Sequence, residues 1–133
     1  MTALGAWKRV YEDSDTEWLC VRESGRSDAD KYVSKLPEKS RTRLQRWLEM
    51  HKNGHRIKSQ ENIKTLKVLG DIVVLELKPQ PYRIYVVEKA GCWHLTHGTK
   101  KPSNNQVPRE IEKAVSIYRD CERRAKGHGH GTL

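Results

Sequence analysis

The chain has 133 residues, a formal net charge of +9 and a pI near 9.6, which is enough for one domain with a single modest core. A mean hydropathy of −0.87, with no run of about 20 apolar residues and no leader-like pattern, argues against a membrane span and leads us to expect a soluble, cytoplasmic protein. Three scattered cysteines (Cys20, Cys92, Cys121), with no CxxC or HExxH spacing, support neither a disulfide framework nor a metal centre; they read as buried small hydrophobes.

Residues 6–12 and 17–22 read as two short strands, joined through Asp13-Ser14-Asp15-Thr16 into a hairpin. Ser27 or Asp28 can cap a short helix running to Leu36, with Tyr32, Val33 and Leu36 on one face. Pro37 starts a longer helix whose apolar stripe is Leu44, Trp47, Leu48 and His51, stopped at Asn53-Gly54. Charge is uneven along the chain: residues 1–30 carry four Lys/Arg against seven Asp/Glu, residues 31–67 eleven against three, and residues 68–133 eleven against seven. The field therefore concentrates on the central helix and the segment after it. Lys39, Arg41, Arg43, Arg46, Lys52, Arg56 and Lys58 are its candidate RNA-binding residues, with nucleic acid favoured over a membrane surface.

Residues 55–62 read as loop and Thr65 to Leu69 as the strand entering a β-meander. The meander continues as Ile72–Leu77, Tyr82–Val87 and Cys92–Thr96, punctuated by Lys78-Pro79-Gln80-Pro81 and Lys89-Ala90-Gly91. A polar, basic loop is expected at His97-Gly98-Thr99-Lys100-Lys101. The last helix opens at Pro108 and runs to about Lys126, with Ile111, Ala114, Val115 and Tyr118 facing the sheet. We expect one domain over residues 1–126 and a flexible Gly/His tail over 127–133. The fold class is α+β: a mainly antiparallel twisted sheet with two N-terminal helices and a C-terminal helix.

Most chemistries find no foothold in this sequence. There is no GxSxG, no glycine-rich phosphate loop and no metal box. The residues that remain (Lys78, Tyr82, Arg83, Tyr85, His94, His97, Lys100 and Lys101) suit RNA cleavage by transesterification. That reaction needs a proton acceptor, a proton donor and fixed cations around the phosphorane. A histidine exchanges protons near neutral pH, and an arginine fork clamps phosphate. Each of these residues has a bland alternative, as a strand arginine, a loop solubiliser or a hydrogen-bonded sheet-end histidine.

Glu76-Leu77-Lys78, Tyr82-Arg83-Ile84-Tyr85, Leu95-Thr96-His97-Gly98-Thr99-Lys100-Lys101 and Pro108-Arg109-Glu110-Ile111-Glu112-Lys113-Ala114 follow one another in this order. Together they resemble the RelE/HigB toxin superfamily, and within it the phage-derived HigB-type branch. The resemblance implies a type II toxin, a ribosome-dependent endoribonuclease that cuts mRNA in the 30S A site without a cofactor or metal. Its partner would be a HigA-like helix-turn-helix antitoxin. Carried over, Arg83 would contact the scissile phosphate, Lys100 and Lys101 would be the basic sheet-end pair, Lys78 would replace the arginine of Glu-Leu-Arg, and His97 would be the sheet-end histidine. Tyr82 joins the RNA-binding candidates. The sequence departs from the family in lacking the aromatic after His-Gly, where Thr99 stands nearest. The rival expectation is a binding protein on the same fold, either a ParE-like gyrase inhibitor or a phage protein that binds RNA or a host factor.

Overall fold

A computed structural model describes residues 5–131, with side chains through Lys126. Six strands and three helices follow in the order β1 (Trp7–Arg9), β2 (Glu17–Cys20), α1 (Asp28–Ser34), α2 (Glu38–Lys52), β3 (Ile63–Leu69), β4 (Ile72–Leu77), β5 (Tyr82–Lys89), β6 (Cys92–Lys100) and α3 (Val107–Gly131). All six strands form one sheet in the order β1-β2-β6-β5-β4-β3. The fold is α+β, but it differs from the expected arrangement in two respects. The sheet is mixed, because β2 runs parallel to β6. And α1 and α2, expected as N-terminal helices, stand in the chain between β2 and β3, behind the hairpin that residues 6–22 predicted.

The meander β3–β6 follows the hydrophobic pattern. In β5, Ile84 and Val86 point to one side and Tyr85 and Val87 to the other, and all four are buried. A strand buried on both faces needs cover on both. On one face Leu36, Leu44, Trp47 and Leu48 of the α1–α2 region pack with Leu75, Leu77, Ile84, Val86, Trp93 and Leu95. On the other, Ala114 and Tyr118 of α3 pack with Ile72, Val74, Tyr85 and Val87. Ala90 and Gly91 both have positive φ (52° and 79°) between β5 and β6, as a two-residue hairpin turn with matched twist requires.

Several boundaries depart from the sequence reading: β1 spans only Trp7–Arg9, β2 ends at Cys20, α1 ends at Ser34 and β5 runs on to Lys89. β3 begins at Ile63, two residues earlier than expected. β6 continues through His97-Gly98-Thr99-Lys100, which had read as loop, with Thr96 bulged between Tyr85↔His97 and Val86↔Leu95. Cross-strand pairing overrides the weak strand propensity of a His-Gly-Thr-Lys run. α3 is drawn to Gly131, past Lys126; residues 132–133 and the side chains of the expected tail lie outside the described residues, as do residues 1–4.

The hairpin is tied to α2 by a buried carboxylate. Glu17, with no exposed surface, accepts from Ser14 Oγ at 2.7 Å and Thr16 Oγ1 at 2.6 Å and pairs with His51. His51 also stacks on Trp93 with ring centroids 4.0 Å apart. At α1, the Ser27 hydroxyl accepts from the Asp30 N–H at 3.1 Å, the expected cap.

Candidate nucleic-acid interface

β2 pairs with β6 only from Trp93 to Leu95. Beyond that point the edge of β6 faces α1, and a cavity of about 300 Å³ opens between α1, β6 and α3. His97 and Gly98 line it together with Tyr32, and Arg26, Lys31, Lys35 and Lys113 supply four cations. None of the four has a carboxylate within ion-pair distance among the described residues. The one acid lining the cavity, Asp28, is already clamped by Arg22 through bonds of 2.9 and 2.6 Å. That hydrogen-bonded guanidinium holds the Asp28 carboxyl below the usual range, so the cavity is a positive one.

Gly98 explains the shape of the place. The Tyr32 ring lies flat against it, and a Cβ at Gly98 would come 2.7 Å from ring Cγ and 2.8 Å from Cε2. The Tyr32 ring meets Tyr82 edge-on at 6.4 Å, so two half-buried aromatic rings sit beside the cations. Gly98→Ala is therefore expected to lower stability by about 1–3 kcal/mol through overpacking. In urea unfolding the double change Gly98→Ala/Tyr32→Ala should regain part of that loss. An unchanged midpoint for the single variant would show that the ring moves aside freely.

The structure divides the candidate catalytic residues between the two faces of the sheet. Lys100 pairs with Tyr82, on the α1–α2 face. Arg83 pairs with Thr99 on the α3 face, where Tyr85 Oη lies 3.1 Å from Thr99 Oγ1. Arg83 and Lys100 therefore do not converge on one phosphate, as the sequence reading required. The physical reason is the two-residue side-chain period of a strand. Arg83 is also only 4% exposed; its Nη1 donates to Gln80 Oε1 at 3.1 Å and to the Tyr82 carbonyl at 2.9 Å, and its Nε lies 3.7 Å from Glu76. Lys78 sends its Nζ to the Gln60 carbonyl at 3.0 Å, and Lys100 and Lys101 are exposed at the sheet end.

His97 is buried, at 1% exposure. It stacks on Tyr85 at 4.6 Å, with Nδ1 3.0 Å from Thr96 Oγ1 and Nε2 2.9 Å from Glu110 Oε1. Burial pushes its pKa down to about 4 despite the Glu110 bond that pulls it up. The ring is accordingly neutral at physiological pH, with an N–H donated to Glu110. Burial likewise lifts the Tyr85 phenol to about 12, which leaves it no proton-transfer role near neutrality.

The expected basic face of α2 is partly committed elsewhere. Arg41 Nη1 donates to the Leu36 carbonyl at 3.0 Å. Lys52 pairs with Asp13 at 2.8 Å and lies over the Tyr11 ring. Lys39, Arg43 and Arg46 remain exposed. Arg56 and Lys58 line a second cavity of about 600 Å³ with Lys64 of the edge strand. Sequence reasoning missed Arg26, Lys31, Tyr32, Lys35 and Lys113. Tyr32 had read as a core position; Lys31 and Lys35 belong to the basic run of residues 31–67 but stand on the short helix ahead of α2, and Arg26 and Lys113 lie outside that run. Only the position of Lys113, inside the segment opening the last helix, was a usable signal.

The geometry defines an α+β fold with a cationic, aromatic-lined edge. Among solved structures, a chain of the archaeal RelE–RelB complex from Pyrococcus horikoshii OT3 is similar, with a TM-score of 0.50 and 10% identity over 66% of this chain and 94% of that one. No family model and no curated protein matches the sequence. The likeness carries the RelE-like fold; the HigB branch and phage origin expected from the motifs do not follow from it. Among the described residues no helix is long and apolar enough to cross a membrane, and no group of three or more His, Cys, Asp or Glu is placed to hold a metal ion.

Proposed function

We propose that this protein is the toxin of a toxin–antitoxin pair and that its target is mRNA in the ribosomal A site, cut by metal-free transesterification. The observation that carries the reading is the cavity at the β6 edge: four cations with no ion-pair partner among the described residues and the Tyr32 ring, itself met by Tyr82, around the His97-Gly98 pair. Phosphate is the chemistry such cations recognise, and a flat ring beside them stacks a base. The RelE-like fold is compatible with the reading, and a HigA-like helix-turn-helix antitoxin is the partner the motif resemblance implies.

In the proposed reaction the 2′ oxygen bonds to phosphorus, the 5′ oxygen leaves, and one proton passes from the first to the second. Arg26, Lys31, Lys35 and Lys113 offset the charge that builds on the phosphorane. His97 enters by exchanging its Glu110 bond for substrate. The anionic phosphate then takes over the upward pull on the ring's pKa that Glu110 exerts in the free protein, because an opposite charge favours the protonated form.

The test replaces cations that hold nothing else in place. Lys31→Glu/Lys35→Glu/Lys113→Glu should weaken RNA affinity by about a hundredfold or more and reduce its salt dependence, with folding unchanged. The matched triple on α2, Lys39→Glu/Arg43→Glu/Arg46→Glu, should weaken it less. Translation-dependent mRNA cleavage should persist in EDTA and leave 2′,3′-cyclic phosphate ends. Equal loss in both triples would mean a diffuse field with no defined site.

A second reading, an RNA-binding protein that does not cut, is favoured by one fact: Arg83 and His97 are both buried and internally hydrogen-bonded. Cavity-dependent binding and growth arrest without cleaved mRNA would establish it.

A further inference from the structure

We propose that the RNA strand continues past the β6-edge cavity along the outer face of α3, held there by its phosphates alone. The inference rests on the RNA reading above and adds the path of the strand and the chemistry that reads each part of it. A further cavity, of about 590 Å³, has Arg22, Lys113, Ser116, Arg119, Asp120 and Arg123 in its wall. Two links join it to the cavity at the β6 edge. Lys113 lines both, and Arg22 of the one clamps Asp28 of the other.

The helical period makes this face continuous. Ala114, Tyr118 and Cys121 turn inward and are buried. Lys113, Ser116, Arg119 and Arg123 are left on the exposed side, each about one turn beyond the last. Charge there is one-sided. Lys113 and Arg119 have no ion-pair partner among the described residues. The acid in the wall, Asp120, is shared between Arg123 at 2.6 Å and Arg124 at 3.0 Å, so one carboxylate meets more cations than it can neutralise.

The two cavities differ in what they can recognise. At the β6 edge the Tyr32 ring can stack a base, whereas none of the described residues lining the α3 cavity is aromatic. Cations without a ring hold phosphates and carry no base preference. From Lys113 to Arg123 the helix rises about 15 Å, the length of about four stacked nucleotides at about 3.4 Å each. The ligand such a surface fits is a single strand, read by stacking at one end and by charge alone along the rest.

The experiment measures the affinity of the full-length protein for fluorescein-labelled 2′-O-methyl RNA, which lacks the attacking hydroxyl. The probes are a strand of about three nucleotides and the same strand extended to about eight at its 5′ or its 3′ end. One extension should tighten wild-type binding about tenfold or more. Arg119→Glu/Arg123→Glu should lose that gain, and its salt slope for the extended strand should fall by about one to two. Both side chains are exposed, so the thermal midpoint should stay where it is. Abasic residues in the extension should bind wild type as tightly as ordinary ones. Equal affinity for all three strands would overturn the path along α3 while leaving the β6-edge site in place. So would an equal loss in the α2 pair Lys39→Glu/Arg43→Glu, or weaker binding of the abasic extension. Failure of wild type to bind any of the strands would overturn the RNA reading itself, and the path with it.

Discussion

Replacing Arg83 with alanine is expected to cost about 3–5 kcal/mol of stability before any question of catalysis arises. Glu76 on β4 and Arg83 on β5 sit on the α3 face of the sheet, with side chains only 8% and 5% exposed. The Arg83 guanidinium is the one cation within ion-pair distance of Glu76 among the described residues, and removing it leaves a carboxylate buried and uncompensated. Chemical denaturation of Arg83→Ala, Glu76→Gln and the double variant Arg83→Met/Glu76→Leu checks this. Arg83→Ala should show the large loss, while the double variant should lie within about 1–2 kcal/mol of wild type, because an apolar pair removes both charges together. If Arg83→Ala keeps its unfolding midpoint yet abolishes mRNA cleavage, Arg83 is a working group and the ion pair is incidental.

The same pair illustrates what the sequence made legible. Strand runs bounded by Pro and Gly located β4, β5 and the first half of β6, and the 3.6-residue stripe located the buried side of α2. These signals are local, and local periodicity survives into the fold. The site depends on register instead, and register is not local. Arg83 and Lys100 look like neighbours across a turn, but the bulge at Thr96 sets Tyr82 against Lys100 and Arg83 against Thr99, so the two cations face opposite ways. Gly98 read as part of a polar, basic loop after a strand that ended at Thr96, and it lies inside β6. The reason for a glycine there is the Tyr32 ring resting on it, a contact between residues 66 positions apart. The parallel pairing of β2 with β6 is equally remote: it depends on the α1–α2 insertion returning the chain to the other side of the sheet. For this reason the cavity at the β6 edge, assembled from α1, β6 and α3, could not be read from any one segment.

Acid should weaken this protein well before its carboxylates titrate, and His97 should be a main reason. Unfolded, the ring has a pKa of 6.5; folded, burial holds it at about 4. Between those values the unfolded chain binds a proton that the folded chain refuses, so stability rises with pH across the window. Read downward, the contribution is intact above about pH 7, falls from 6.5, and is lost by about pH 4. A shift of that size is on the order of 3 kcal/mol. Asp28 and Glu122, whose folded pKa values are lowered by Arg22 and Lys89, act in the same direction only below about pH 4.5. His94, also lowered by burial, titrates alongside His97, so the comparison must be made against His97→Gln, in which an amide can still donate to Glu110. Urea midpoints measured from pH 7.5 to 4.5 should fall more steeply for wild type than for His97→Gln, with the curves converging as the pH drops. Parallel curves would mean that folding leaves the His97 pKa unshifted, and a wild-type curve that falls less steeply than that of His97→Gln would mean that the folded ring holds its proton as an imidazolium paired with Glu110, a ready acid for RNA cleavage.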